Sequence, residues 1–336
     1  MRHRRVVRKL IFTQGRDVQL RVVPLFVLAA LLSSRMSANP AAGQAGGGRE
    51  NPMTSQIASI VKTFRGQMGV AAINLRTGEM IAVNADARFP TASTIKTAVM
   101  VEAWQQAVDG RLPIETRIAL RDADKVGGAG VLRGFGEGLS LSVADLIHLM
   151  IVLSDNTATN MLIERLGTAR VNARLESYGL NDTKLFRPTF RDGRPDVLPD
   201  LEREYGLGMS TPRDMAKLMA LIGERKAVSA EASDAMLATL RRQTDRAMIP
   251  RSLPEGLQVG NKTGTDEEKH PGGDGIKRHV RADAAIITGQ TVSYAIAIHA
   301  RQIEDTRWSL DNEALVTGAK ISRMIFDYFA GTKSPD

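Results

Sequence analysis

Three short strings, widely spaced along the 336-residue chain, hold side chains that together could carry out acyl transfer: Ser93-Thr94-Ile95-Lys96, Ser154-Asp155-Asn156 and Lys262-Thr263-Gly264-Thr265. A serine hydroxyl is a poor nucleophile at neutral pH until a neighbouring base takes its proton. Residues three apart on a helix are surface neighbours, so the spacing predicts the Ser93 hydroxyl beside the Lys96 amine. Lys96 serves as that base only if burial or a second cation lowers its pKa, and Lys262 is the candidate second cation. A helix start at Ser93 would also aim backbone N–H groups at a developing oxyanion, with the Thr265 N–H completing the hole. Ser154 is placed to relay a proton to a leaving nitrogen, and Asn156 to hydrogen-bond a substrate amide. On a strand edge, Gly264 permits close backbone approach while Lys262, Thr263 and Thr265 meet an anionic group.

The set is more informative than its members. Ser59-Ile60-Val61-Lys62 also matches Ser-x-x-Lys, but Ile57, Ile60, Val61 and Phe64 recur around it at helical spacing, so Ser59 reads as an ordinary helix position. Ser-Asp-Asn and Lys-Thr-Gly are each expected by chance only about a few times per hundred such chains. The chain contains no cysteine, which excludes disulfides, thiolate metal sites and a cysteine nucleophile. It has neither a His-Glu-x-x-His motif nor a Gly-x-Ser-x-Gly elbow, so the zinc-hydrolase and α/β-hydrolase classes lose their main support. No metal and no cofactor is expected.

The elements that must position these residues follow from periodicity. Helices are predicted over 52–65, 143–153, 158–166, 170–178, 212–222, 230–240 and 313–329, with a further one after Pro90 that carries Ser93 and Lys96, capped by Thr91. Thr211-Pro212 is a favourable helix start, with threonine as the cap and proline in the first turn. Strands are predicted over 70–75 and 80–84, joined as a hairpin, and over 257–265, 282–288 and 292–300. Strands at both ends around a helical middle predict an α+β fold: an antiparallel five-stranded sheet flanked by terminal helices, with an inserted all-α region. The sheet part spans 52–113 and 249–331, the helical part 114–248, and the catalytic cleft lies between them.

Length and composition, 43% apolar and 24% charged, are those of a globular protein. Residues 1–50 hold nine basic residues against Asp17 and Glu50, which accounts for +7 of the net +8 and leaves +1 for the remainder. With no basic block beyond this segment and 4% aromatic content, nucleic acid is not an expected partner. A basic start, the apolar run Val22 to Leu32 and a following small and polar stretch read as a leader over residues 1–45. Export to the periplasm or beyond is the expectation. At eleven residues the run is short of the ~20 that cross a bilayer, so membrane attachment would come only through an uncleaved leader. A monomer is expected.

Residues 52–331 resemble the class A β-lactamases and the penicillin-binding-protein-like serine hydrolases that share these strings. The separations of 61 residues from Ser93 to Ser154 and 169 from Ser93 to Lys262 carry the resemblance, with Gly127-Gly128-Ala129-Gly130-Val131-Leu132 and Ser210-Thr211-Pro212-Arg213-Asp214-Met215. It implies Ser93 as nucleophile, Lys96 as base, Ser154 as proton shuttle, Asn156 as a substrate contact, and Lys262, Thr263, Gly264 and Thr265 around the substrate carboxylate. Arg278 or Arg281 would reach the same pocket. The substrate implied is a small β-lactam or a cell-wall peptide, with antibiotic resistance as the biological consequence. One departure stands out. Class A enzymes carry a Glu-x-x-x-Asn motif whose glutamate activates the water that releases the acyl group. No asparagine lies between Asn181 and Asn261, an interval that contains the candidate loop 186–209. Glu202 and Glu204 are the nearest substitutes, ahead of Asp192, Asp196 and Asp200. The sequence therefore predicts β-lactam opening through a Ser93 acyl-enzyme with slow deacylation. A D,D-peptidase or esterase, and a non-hydrolytic sensor or binding module, are the alternatives. The stretch 266–280 is longer than class A chains usually have, and its His270 and His279 read as parts of a solvated loop.

Overall fold

The computed structural model describes residues 51–191 and 195–331. The leader and Asp192 lie outside them. Nine helices occur among the described residues: α1 (Pro52–Thr63), α2 (Lys96–Val108), α3 (Val143–Val152), α4 (Asn156–Leu166), α5 (Thr168–Ser177), α6 (Pro199–Tyr205), α7 (Pro212–Gly223), α8 (Ala230–Leu240) and α9 (Glu313–Ala330). Five strands, β1 (Gln67–Asn74), β2 (Met80–Val83), β3 (Gln258–Glu267), β4 (His279–Thr288) and β5 (Ser293–Ile303), form one antiparallel sheet in the order β2-β1-β5-β4-β3. None of the described helices is long and apolar enough to cross a membrane.

Both faces of the sheet are covered, and the alternation of side chains assigns each residue its side. Val70, Ala72, Ile296 and Ile298 point to a core shared with Ile57 and Val61 of α1 and with Ile321 and Ile325 of α9. Their neighbours Ala71, Ala295 and Ala297 point the other way, into a core completed by Met215, Leu218 and Ile222 of α7 and by α2, α3 and α4. Fully burying one such aliphatic side chain stabilises by ~1.5–3 kcal/mol. Small residues on the second face let α7 lie close to the sheet. The predicted start of α7 is observed: the Thr211 hydroxyl accepts the Asp214 N–H at 3.1 Å, with Pro212 in the first turn.

Three expectations need correction. Ser93 does not open an α-helix. It lies in a 3-10 turn, Ala92–Ile95, and α2 begins at Lys96. Thr91 does not cap that turn through its side chain; its hydroxyl is buried without a partner, and only its carbonyl accepts, from the Thr94 N–H and hydroxyl. The candidate loop is not continuous coil, since α6 lies within it and Lys184–Leu185 and Gly208–Ser210 pair in a small sheet with Phe89–Pro90.

Candidate active site

The segment before α2 is held by the edge strand. A Cβ on Gly264 would lie 2.5 Å from the Thr91 carbonyl oxygen and 3.1 Å from the Ser93 nitrogen, so only glycine lets β3 approach the turn this closely. Ala92, just before Ser93, is in the left-handed region at φ 43°, and Ser154 is there too at φ 53°. Such backbone costs about 1–3 kcal/mol per residue and persists where its surroundings enforce it. For Ser154 the enforcement comes from Asp155. Its carboxylate caps α4 through the Ala158 N–H (2.9 Å) and accepts the N–H groups of Val131 (2.6 Å) and Leu132 (2.8 Å). The glycine-rich string 127–132 is thereby draped over the start of α4, where Asn156 donates from its carboxamide to the Gly127 carbonyl at 3.1 Å.

Lys96 and Lys262 are both fully buried, and they converge on one hydroxyl. Each Nζ lies 3.1 Å from Ser154 Oγ. Lys96 also donates to the Ser154 carbonyl (2.7 Å) and to Asn156 Oδ1 (2.8 Å), and Lys262 to the Thr263 carbonyl (2.7 Å). No hydrogen bond joins Ser93 to Lys96, whose amine bonds instead to Ser154 and Asn156. Burial, and next the Lys262 charge, push the Lys96 pKa well below that of a free lysine. Burial lowers Lys262 to about 8, with Asp283 and Asp245 opposing the shift. Of the two amines, Lys96 is thus poised to be the neutral one and Lys262 the charged one.

Ser93 opens into a cleft of about 340 Å³ whose walls include Asn156, Arg187, Thr189, Glu202, Thr265 and Trp308. Glu202 faces Arg187 across 3.6 Å in this cleft. Glu204, two residues further along α6, turns instead to Arg301 (3.3 Å) and lines a separate cavity with Glu268. Asp200 pairs with Arg203 at the surface, and Asp196 accepts the Thr168 hydroxyl. Thr263 and Thr265 lie on β3, and Thr265 sits opposite Arg281 of β4. The wall at 187–191 is fixed by Asn160, whose carboxamide accepts the Thr189 N–H (2.8 Å) and donates to the Thr189 carbonyl (2.9 Å). Asn160 was not among the predicted site residues, although its position four residues after Asn156 on the same helix face is a readable signal. His279 is not in a solvated loop. It is buried on β4 against Trp308 and Arg281.

A family model described as the beta-lactamase enzyme family matches residues 52–329. The chain belongs to this family. It is a serine β-lactamase-like hydrolase with the class A fold. Among solved structures it resembles a beta-lactamase from Sphaerobacter thermophilus at 30% identity, with a TM-score of 0.71 over 84% of this chain and 98% of that one. It is also similar to a mutant of PBP-A captured as an acyl-enzyme complex with penicillin G, at 28% identity and a TM-score of 0.69 over 83% and 96% of the two chains. Beta-lactamase L2 of Stenotrophomonas maltophilia is 30% identical over 224 residues, 64% of this chain and 69% of its own. Within this family frame, the two lysines, Ser154 and Asn156 form one hydrogen-bonded unit beside the Ser93 cleft, whereas Glu204 stands apart from it.

Proposed function

We propose that the protein opens β-lactams by acyl transfer to Ser93 and releases the acyl group slowly. The observation that carries the reading is the Ser154 hydroxyl shared at 3.1 Å by two buried lysines of unequal basicity. In the neutral form Lys96 takes the Ser93 proton, and Ser93 Oγ attacks the lactam carbonyl carbon to form the tetrahedral oxyanion. As the C–N bond breaks, the nitrogen receives a proton through Ser154, which is replenished from the lysine that holds it. Asn156 bonds the substrate amide, and the substrate carboxylate lies against Lys262, Thr263 and Thr265 with Arg281 behind them. The N–H groups of Ser93 and Thr265 hold the oxyanion. Deacylation needs a base for water. Glu202 lines the Ser93 cleft together with Asp266, and it lies 3.6 Å from Arg187. Glu204 faces Arg301, so Glu202 remains the better candidate. The basic and apolar pattern of the leader supports export.

Intact-protein mass spectrometry after a pulse of benzylpenicillin tests this reading. An adduct of one penicillin that persists long after free drug is removed is expected, and Ser93→Ala abolishes it. Rapid turnover that survives both Glu202→Gln and Glu204→Gln would overturn slow, carboxylate-limited release. The likeness to PBP-A favours one second reading, a D,D-peptidase, whose signature is release of terminal D-alanine from a cell-wall peptide.

A further inference from the structure

We propose that Trp308 is a specificity-determining positioning residue, whose indole holds the Arg281 guanidinium in the orientation that takes the substrate carboxylate. This rests on the reading of Arg281 given above. Arg281 is 3% exposed and has no carboxylate within ion-pair distance among the described residues. Its bonds go to neutral acceptors: the Val280 carbonyl (3.0 Å), His279 Nδ1 (3.2 Å) and the Arg307 carbonyl (3.4 Å). An acceptor at Nδ1 places the imidazole proton on Nε2 and leaves the ring neutral. Three of the five guanidinium N–H groups are engaged in these bonds, which leaves two donors free, while Asp305 and Asp245 act on the charge only from beyond ion-pair distance. A buried cation with no carboxylate in contact is costly to leave so, and an acidic partner in contact would compete with a substrate carboxylate.

What fixes the guanidinium is aromatic. Its central carbon lies 4.7 Å from the centroid of the Trp308 ring, within the range of a cation–π contact. His279 packs tilted against the same indole, with ring centroids 4.3 Å apart and planes at 47°, so the ring bridges the cation and its neutral acceptor. Trp308 is 60% exposed and lines the Ser93 cleft, which puts its free edge where a ligand would lie. The turn that carries it is braced. Asn312 donates to the carbonyls of Asp305 (2.7 Å) and Arg307 (3.0 Å), and the Asp305 carboxylate accepts the Glu313 N–H (2.7 Å) and pairs with Arg307. A braced aromatic ring over an unpaired guanidinium is a preorganised anion anchor.

The experiment compares second-order acylation rate constants for benzylpenicillin and its methyl ester, which lacks the carboxylate, by intact mass. Trp308→Ala is expected to lower the acid-to-ester ratio about tenfold, and Trp308→Phe, which keeps an aromatic face, to recover most of that loss. General disturbance of the cleft lowers both rates and leaves the ratio alone, so an unchanged ratio in Trp308→Ala overturns the proposal whatever the absolute rates. An equal fall in both variants also overturns it, because the aromatic face is then not what matters. Arg281→Ala separates the two levels of the argument: it must collapse the ratio by itself, and if it does not, the carboxylate role of Arg281 is the reading that fails.

Discussion

The two amines that share the Ser154 hydroxyl sit in different electrostatic surroundings, and the pH dependence of acylation follows from that inequality. In the proposed mechanism, acylation by a carboxylate-bearing substrate needs Lys96 neutral and Lys262 charged. Lys96 is driven well below the ordinary lysine value by burial and then by the Lys262 charge, so the rate rises with pH as Lys96 gives up its proton. Lys262 is lowered to about 8 by burial, so its charge is lost, and the rate falls, above about that pH. Lys262→Arg keeps a cation that does not titrate in the accessible range. Its acylation rate with benzylpenicillin is expected to be lower near neutrality but to show no decline between pH 8 and 10. A decline that stays near pH 8 in the variant would assign that limb to another group. The same residues were the most legible in the sequence, because a nucleophile, amines and an amide at this spacing have few other uses. What the spacing misrepresented was the partner of Lys96. A side chain with four methylenes is not confined to its helical neighbour at i−3, and the carbonyl and hydroxyl at Ser154 offer its ammonium better acceptors.

Elements are legible where periodicity reflects burial, and are missed where backbone pairing proceeds without it. Helices α3, α7 and α8 fall within about a residue of their predicted limits because an apolar stripe and a cap bound each one. Strand β3 was expected to end at Thr265, yet Asp266 and Glu267 continue the ladder opposite Val280 and His279, since polar side chains at a sheet edge do not interrupt backbone hydrogen bonds. Helix α6 was missed because none of its residues is buried, which leaves no apolar stripe to detect. The wall at 187–191 depends instead on one carboxamide, that of Asn160, and this makes a prediction about a loop rather than a residue. Asn160→Ala leaves the Thr189 N–H and carbonyl buried and unpaired, at about 1–3 kcal/mol for each group. Hydrogen exchange over 186–191 is expected to accelerate at least tenfold, with α2 and β5 unaffected. Protection at 186–191 equal to that of the wild type would show that the wall is held by other contacts. Trp308 had no sequence signal at all: its partners Arg281 and His279 lie on β4, and only the folded sheet brings the three together.

At the scale of the whole molecule, the sheet's second face is built from small residues so that α7 and the cleft segments can pack against it, and one imidazole is enclosed there. His299 shares that face with Ala295 and Ala297, opposite Gly69 of β1 and Ala282 of β4, and meets the edge of Phe89 at a centroid distance of 6.0 Å. It is fully buried, and neither ring nitrogen has a hydrogen-bond partner. Burial pushes its pKa down to about 3, against 6.5 for the free side chain. The sign follows from which state binds the proton. Above pH 6.5 the ring is neutral in both states and contributes no pH dependence. As pH falls from 6.5 towards 3 the unfolded chain takes up a proton that the folded chain refuses, and stability is lost at about 1.4 kcal/mol per pH unit. By pH 5 that is ~2 kcal/mol. His299→Leu removes the titrating ring and both unpaired nitrogens while keeping an apolar side chain of similar size. Urea unfolding at pH 7.5 and pH 5 should show the wild type losing ~2 kcal/mol more than the variant over that interval. Equal losses in the two proteins would mean that His299 finds a proton acceptor in the folded state, and the acid sensitivity of the fold would then have to come from its carboxylates.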